Sequence, residues 1–179
     1  MNKERIKETW SVLPMVIMGL ACGILAFLDI RLKNWSYQNL SGESSRVLID
    51  GFLGLTYHEN TGAAFGFLAG SDWSRWFLVI VKIVLIAGII IYMRCLPTGK
   101  KYWLLHVPLM LIVAGGIGNL VDRLLLGSVR DMLEFLFIDF PIFNLADVYV
   151  VTGVISFLVF ELFVVKHFAE DKKVKNEND

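Results

Sequence analysis

The stretch WLLHVPLMLIVAGGIGNLVDR, residues 103–123, decides how this chain folds. Its first nineteen residues contain only two strongly polar side chains, His106 and Asn119, and an acid and a base follow them. A helix needs about 17–25 apolar residues to cross the roughly 30 Å hydrocarbon core of a bilayer. The paired glycines near its end allow a neighbouring helix to approach closely. Residues 103–121 are therefore predicted to form a transmembrane helix.

Three other runs have the same character: residues 12–28, 76–93 and 143–165. The sequence thus predicts a mainly α membrane protein with a four-transmembrane-helix bundle. We expect one membrane-embedded domain over residues 1–166 and a charged cytoplasmic tail over residues 167–179. The first run follows a basic start, as in a signal peptide, but no A-x-A cleavage motif follows it. We expect it to be retained as the first helix.

Composition and charge placement predict how the bundle is oriented. The 179 residues are 56% hydrophobic, whereas soluble domains are about 45–50% apolar. Lys+Arg and Asp+Glu number 17 each, so net charge gives no information about nucleic-acid binding. We expect no nucleic-acid partner. Ten basic residues lie before the first run, between the second and third, and after the fourth, against six in segments 29–75 and 122–142. The positive-inside rule therefore predicts that both termini are cytoplasmic.

A polar turn, HENTG at residues 58–62, interrupts the first outward segment. Before it, Leu53, Leu55 and Tyr57 alternate with smaller or polar residues, which is the period of a strand. The sequence predicts a small extracytoplasmic β element between helices 1 and 2 that ends in an Asn-Thr-Gly turn. Such a turn can offer backbone donors and the Asn60 amide to an extended peptide, and Gly62 suits a backbone position that needs positive φ or close approach. An ordinary hairpin turn is the alternative.

Several ionisable residues lie in or beside the apolar runs, where charge is costly. Asp29 and Lys33 are spaced i, i+4, which predicts a structural ion pair on one helical face. Lys82 lies seven residues into the second run, and we expect it to extend to the outer surface or pair with an acid on another helix. Asn119 and Asp122, spaced i, i+3, share a face near the end of the third run.

Two further aspartates are predicted to meet at the outer membrane surface. Asp131 follows the third run in what we interpret as a loop, and Asp147 lies one turn inside the fourth. A short return segment makes these helices plausible antiparallel neighbours. Two carboxylates at close range share a proton, so that one can act as a general base while the other donates. Helix capping explains a lone Asp near a helix start equally well.

Clustered acids also suggest a metal site. Five carboxylates are candidate oxygen ligands: Asp122, Asp131, Glu134, Asp139 and Asp147. No histidine lies in this region, and no Asp/Asn/Gly-rich loop of the calcium-binding type is present. We therefore expect no metal and no cofactor, and we favour the aspartate pair.

Five ordered motifs together resemble one family, the bacterial lipoprotein signal peptidase or signal peptidase II. They are LDIRLK (28–33), NTGAAFG (60–66), GGIGNLVDR (115–123), GSVRD (127–131) and FNLAD (143–147). The resemblance covers roughly residues 12–165, and the ordered set is more specific than any one motif.

The resemblance implies a membrane aspartyl endopeptidase of the bacterial inner membrane, with its active site near the outer surface. It implies cleavage of prolipoproteins immediately before a diacylglyceryl-modified cysteine. Asp131 and Asp147 match the catalytic pair. The positions matching residues around the site, for substrate binding or support, are Asn60, Gly62, Asn119, Asp122, Arg123 and Asn144. The expected partners are lipidated prolipoproteins and membrane lipids, and the enzyme is expected to be a monomer.

The chain departs from the family pattern on both sides of Asp131. The family usually has an aliphatic residue before this aspartate and an aromatic residue after it, where this chain has Arg130 and Met132. We expect Arg130 to point to solvent or lipid headgroups.

A catalytically inactive relative that binds lipidated peptides is the alternative function. A proton-coupled transporter fits less well, because the acids cluster at one membrane face.

Overall fold

The computed structural model describes residues 12–62, 72–96 and 103–177. Its four helices are α1 (Val12–Leu40), α2 (Asp72–Cys95), α3 (Trp103–Leu126) and α4 (Leu145–Glu177). Each contains a segment that is long and apolar enough to cross a membrane. The predicted four-helix membrane bundle is therefore confirmed. Residues 63–66 of the NTGAAFG motif lie outside the described residues, as do residues 1–11.

Two helices are longer than the apolar runs that predicted them. The segment LDIRLK does not end the first helix, because α1 continues to Leu40. This extension is buried along one side, where Lys33, Ser36 and Leu40 have almost no exposed surface. Hydropathy alone missed it because its buried face is partly polar. At the other end of the chain, α4 continues to Glu177, so most of the charged tail is helical.

Helix α3 is central to the bundle and contacts α1, α2 and α4. Of its apolar segment, 44% is buried in the protein, against 6% for α2. Small residues make the contact with α4 close. A Cβ on Gly115 would collide with the Ala146 carbonyl, and a Cβ on Gly153 would lie 2.7 Å from the Pro108 carbonyl oxygen. The glycines therefore set the distance between α3 and α4.

The polar side of the bundle carries a three-stranded antiparallel sheet in the order β1-β2-β3. Its strands are β1 (Arg46–Ile49), β2 (Leu53–Asn60) and β3 (Val129–Phe135). The predicted β element between α1 and α2 is confirmed as β1 and β2. The third strand was not predicted. Asp131 belongs to this strand and pairs with His58 of β2, so its assignment to a loop was wrong.

The connection from α3 to β3 is short and fixed in direction. Gly127 has φ of 83°, a left-handed conformation that glycine adopts without strain. Arg75 of α2 donates to the carbonyl oxygens of Arg123 and Leu124 at 3.2 and 2.7 Å. A cation at a helix C-terminus stabilises carbonyls that lack partners within the helix. The connection therefore brings β3 directly beside the end of α3.

The glycine packing generates a stability prediction. Gly115→Ala should lower the free energy of unfolding by about 1–3 kcal/mol, because the added methyl group forces α4 away from α3. Thermal unfolding in detergent micelles measures the change. Gly88→Ala in α2 is the matched control, since a Cβ there meets no atom within 4 Å. Equal melting temperatures for the two variants would contradict the assigned role of Gly115.

Candidate active site

The first half of β3 and the first turn of α4 bring Asp131 and Asp147 to one cavity. The cavity has a volume of about 520 Å³ and is lined by residues of β2, β3 and the three helices α2, α3 and α4. Polar side chains line one part of it. Apolar residues continue from there along α2 and α4, including Leu78, Val148 and Val151. The cavity therefore has a polar part around the two aspartates and an apolar part between α2 and α4.

Asp131 is 2% exposed and has amide partners. Asn144 donates to its Oδ1 at 2.6 Å, and Asn60 donates to its Oδ2 at 3.3 Å. Burial and the nearby charge of Asp147 raise the pKa of Asp131 to about 7, against the opposing effect of the two amide hydrogen bonds. The carboxyl group thus exchanges a proton near neutral pH, which is what a general acid or base requires.

Asp147 lies in the first turn of α4 and takes part in a reciprocal cap. The Asn144 backbone N–H donates to Asp147 Oδ2 at 3.1 Å, and the Asp147 N–H donates to Asn144 Oδ1 at 3.0 Å. This is the geometry of a capping box. Asn119 donates to the other oxygen, Oδ1, at 2.8 Å. Asp147 therefore both caps the helix and lines the cavity.

Asp29 and Lys33 support this arrangement from α1 without lining the cavity. Both are completely buried, and their charged atoms are 2.7 Å apart. The Lys33 ammonium also donates to Asn119 Oδ1 at 2.8 Å, which orients the amide that holds Asp147. Asp29 accepts from the Ala146 backbone N–H at 2.9 Å, at the start of α4. The pair thus fixes both the amide and the helix terminus next to it.

Arg130 does not point to solvent or headgroups, so that expectation was wrong. It is 8% exposed and holds Asp122 through two side-chain hydrogen bonds of 3.0 and 2.6 Å. Asn34 of α1 accepts from the same guanidinium. Successive side chains of a strand point to opposite faces, so Arg130 and Asp131 lie on opposite sides of β3. Arg130 forms a structural ion pair behind the cavity, and the buried Met132 shares its side of the strand.

Arg123 orders the Asn-Thr-Gly turn. Its guanidinium donates to the Thr61 and Gly62 carbonyl oxygens, each at 2.7 Å. Asn60 accepts from the Gly62 N–H at 3.0 Å, which closes a local Asx turn. The turn is thereby tied to α3, and the Asn60 amide is held toward Asp131. Asn60 and Gly62 both line the cavity.

The predicted site residues therefore fall into two groups. Those that line the cavity are Asp131, Asp147, Asn60, Gly62, Asn119 and Arg123. Asn144, Asp29 and Lys33 lie behind it and hold members of the first group or the start of α4. Asp122 also lies behind it, where it pairs with Arg130. Of the carboxylates considered as metal ligands, no three are grouped to hold an ion in the described ranges.

Sequence reasoning missed two residues of this region. Asn34 binds Arg130 from the extension of α1, and no motif marked it. Lys82 is half-buried and lines the cavity with both aspartates. Its position in an apolar run was a signal, and we expected it to reach the outer surface or to pair with an acid on another helix, but the sequence did not indicate which acid.

Comparison with known proteins shows which family the chain belongs to. The family model for signal peptidase (SPase) II matches residues 21–164. The chain belongs to the signal peptidase II family. This is a family of aspartic peptidases, so the predicted class of enzyme, an aspartic endopeptidase, is confirmed. The lipoprotein signal peptidase of Enterococcus faecalis is 39% identical over 162 residues, which are 90% of this chain and 98% of that protein.

Other relatives and solved structures extend the match. The lipoprotein signal peptidase of Streptococcus pyogenes serotype M1 is 38% identical over 136 residues, covering 76% of this chain and 86% of that protein. A solved bacterial membrane enzyme shares the fold with a TM-score of 0.71 and 28% identity, covering 84% of this chain and 90% of its own. Together they confirm a multi-pass membrane protein of this family.

The buried Arg130–Asp122 pair generates one prediction. Arg130→Leu should lower the free energy of unfolding by about 3–5 kcal/mol, because it leaves the Asp122 carboxylate buried without its main partner. The double variant Asp122→Asn/Arg130→Leu should recover much of this loss. Melting temperatures of the two single variants and the double variant form the test. If the loss of stability in the double variant equalled the sum of the losses in the two single variants, the two side chains would not interact.

The pKa of Asp131 generates a second prediction. Folding raises this pKa from 3.8 to about 7, so the folded state binds more protons between these values. Stability is then lost as pH rises from about 4 through 7. Asp131→Asn removes this loss, so the variant should gain stability relative to the unaltered protein by a few kcal/mol over that range. Melting temperatures at pH 4 to 8 check it, and a difference independent of pH would contradict it.

Proposed function

We propose that this protein removes signal peptides from diacylglyceryl-modified prolipoproteins, using Asp131 and Asp147 as a catalytic pair. One observation carries the proposal. The two carboxylates line the same cavity, each accepts a hydrogen bond from an asparagine amide, and the cavity has an apolar part next to them. The family and the names of its relatives support the class of substrate.

The chemistry requires the pair to hold one proton. One carboxylate removes a proton from a water molecule, whose oxygen then bonds to the carbonyl carbon of the scissile peptide. The other carboxylate donates its proton to the carbonyl oxygen. Collapse of the tetrahedral species breaks the C–N bond, and the released amine takes up a proton. The cysteine nitrogen becomes the new N-terminus. The pKa of about 7 for Asp131 suits such proton sharing.

The shape of the cavity suggests how the substrate is oriented. The ordered turn at Asn60 and Gly62 borders the carboxylates and can bind the extended peptide next to the cleavage site. Apolar side chains of α2 and α4, such as Leu78 and Val151, are suited to the acyl chains. Binding the lipid would hold the scissile bond at the depth of the aspartates, which lowers the entropic cost of reaction.

This assignment includes the membrane orientation predicted from the basic residues. With both termini cytoplasmic, the sheet and both aspartates face the outer surface of the inner membrane. Residues 1–166 act as one peptidase domain, and the protein works as a monomer.

The structure weakens the case for a catalytically inactive relative. That alternative drew on Arg130, whose charge next to Asp131 would oppose proton sharing. Arg130 instead pairs with Asp122 at 2.6 Å. Its charge is thus neutralised on the opposite side of β3, which supports an active pair.

Cleavage of a synthetic diacylglyceryl prolipopeptide by purified protein in detergent tests the proposal. The same peptide without lipid should be cleaved far more slowly. Asp131→Asn and Asp147→Asn should each lower kcat by about 10²–10⁴-fold or more, because the missing carboxylate carries a proton-transfer step. Both variants should still bind the lipidated peptide.

Asp139→Asn is the matched control, because Asp139 is an exposed carboxylate in the segment between β3 and α4. It should cleave at the rate of the unaltered protein. Substantial cleavage by Asp147→Asn would remove the catalytic pair. Binding of the lipidated peptide without any cleavage by the unaltered protein would favour the binding relative.

A further inference from the structure

Lys82 lies in the apolar segment of α2 and lines the same cavity as Asp131 and Asp147. It reaches the cavity from the wall formed by α2, whereas the two aspartates come from β3 and α4. A lysine in this position loses much of its hydration, so its charge requires compensation from the protein. Within residues 12–62, 72–96 and 103–177, it forms no hydrogen bond or close ion pair.

The other cations near the cavity already have partners. Lys33 is paired with Asp29 at 2.7 Å, and Arg130 is paired with Asp122 at 2.6 Å. Arg123 donates to the two carbonyl oxygens of the Asn-Thr-Gly turn. In contrast, the donors to Asp131 and Asp147 among residues 12–62, 72–96 and 103–177 are neutral amides and backbone N–H groups. In this described part of the chain, the two carboxylates and the Lys82 ammonium thus face the cavity without a close ion pair.

A balance of charge follows from this count. Two carboxylates that share one proton carry a net charge of −1. The protonated Lys82 carries +1, so the three groups together are neutral. A neutral set costs far less to hold between apolar walls than either charge alone.

We propose that Lys82 is the positioning residue that balances the charge of the Asp131–Asp147 pair and so keeps it singly protonated. The proposal rests on the function assigned to the pair. Lys82 acts on the carboxylates and takes no part in bond making.

The sign of its effect on pH dependence follows from electrostatics. The cations that act electrostatically on the pair are Lys82 from α2, Lys33 from α1 and Arg123 from α3. A nearby cation favours the ionised form of a carboxylate, as Lys33 does by lowering the pKa of Asp131. Removing Lys82 leaves Lys33 and Arg123 with their own partners, so the pair should hold its shared proton to higher pH. The pH range of the active, singly protonated pair then moves upward.

The test compares Lys82→Met with Lys82→Arg in the full-length protein, using the pH profile of kcat/KM for the lipidated peptide. Lys82→Met should move the acidic limb upward by at least about half a pH unit and keep activity at higher pH. Lys82→Arg retains the charge and should keep the limb within that margin. Ile83→Met, at a position 47% exposed on α2, is the matched control. Melting temperatures check that the variants fold.

A second measurement does not depend on activity. Infrared titration follows the C=O stretch of the protonated carboxyl groups, assigned with Asp131→Asn and Asp147→Asn. In Lys82→Met, this band should persist to higher pH than in the unaltered protein. A band and a profile that remain unchanged in Lys82→Met would overturn the proposal, as would loss of activity at every pH. If the unaltered protein shows no Asp147-dependent cleavage, the proposed function fails, and the infrared titration still decides the role of Lys82.

Discussion

Lys33 has no exposed surface, and its ammonium must find all its partners inside the protein. It finds them in Asp29 of its own helix and in Asn119 of α3. Asn119 in turn holds Asp147, while Asp29 binds the first turn of α4. Isolated charges cannot be buried cheaply. The partners of the buried Lys33 and Asp29 therefore join α1, α3 and α4. The glycine contacts between α3 and α4 bring these two backbones close enough for the hydrogen bonds to form.

Successive side chains of β3 point to opposite faces, which separates the charge of Asp131 from the charge of Arg130. On one face of β3, burial and the charge of Asp147 raise the pKa of Asp131 to about 7, against the hydrogen bonds from Asn60 and Asn144. On the other face, Arg130 neutralises Asp122. Asp131 therefore lines the cavity while its neighbour Arg130 forms a buried ion pair on the opposite face, although the two residues are adjacent in the sequence.

The sequence predicted the elements that depend on local composition and missed those that depend on distant partners. Four apolar runs predicted four helices, and ordered motifs predicted which aspartates share a cavity. The strand β3 was missed because Arg130, Asp131 and Glu134 interrupt its apolar pattern, and its hydrogen bonds come from β2, about 70 residues earlier. The direction of Arg130 could not be predicted without that strand. The acid nearest to Lys82 in function could not be named from the sequence, because only the bundle shows that its wall faces the aspartates.

The dual position of Asp147 ties the chemistry of the site to one turn of helix. Its carboxylate closes the capping box of α4, so fraying of that turn and displacement of the carboxylate are the same event. Local opening of a helix end costs less free energy than global unfolding. Under the proposed mechanism, the fraction of molecules with Asp147 in place for catalysis depends on this local equilibrium, and the contact from Asp29 opposes the opening. Under this mechanism, a protein whose helix bundle is fully folded is nevertheless inactive while the first turn of α4 is open.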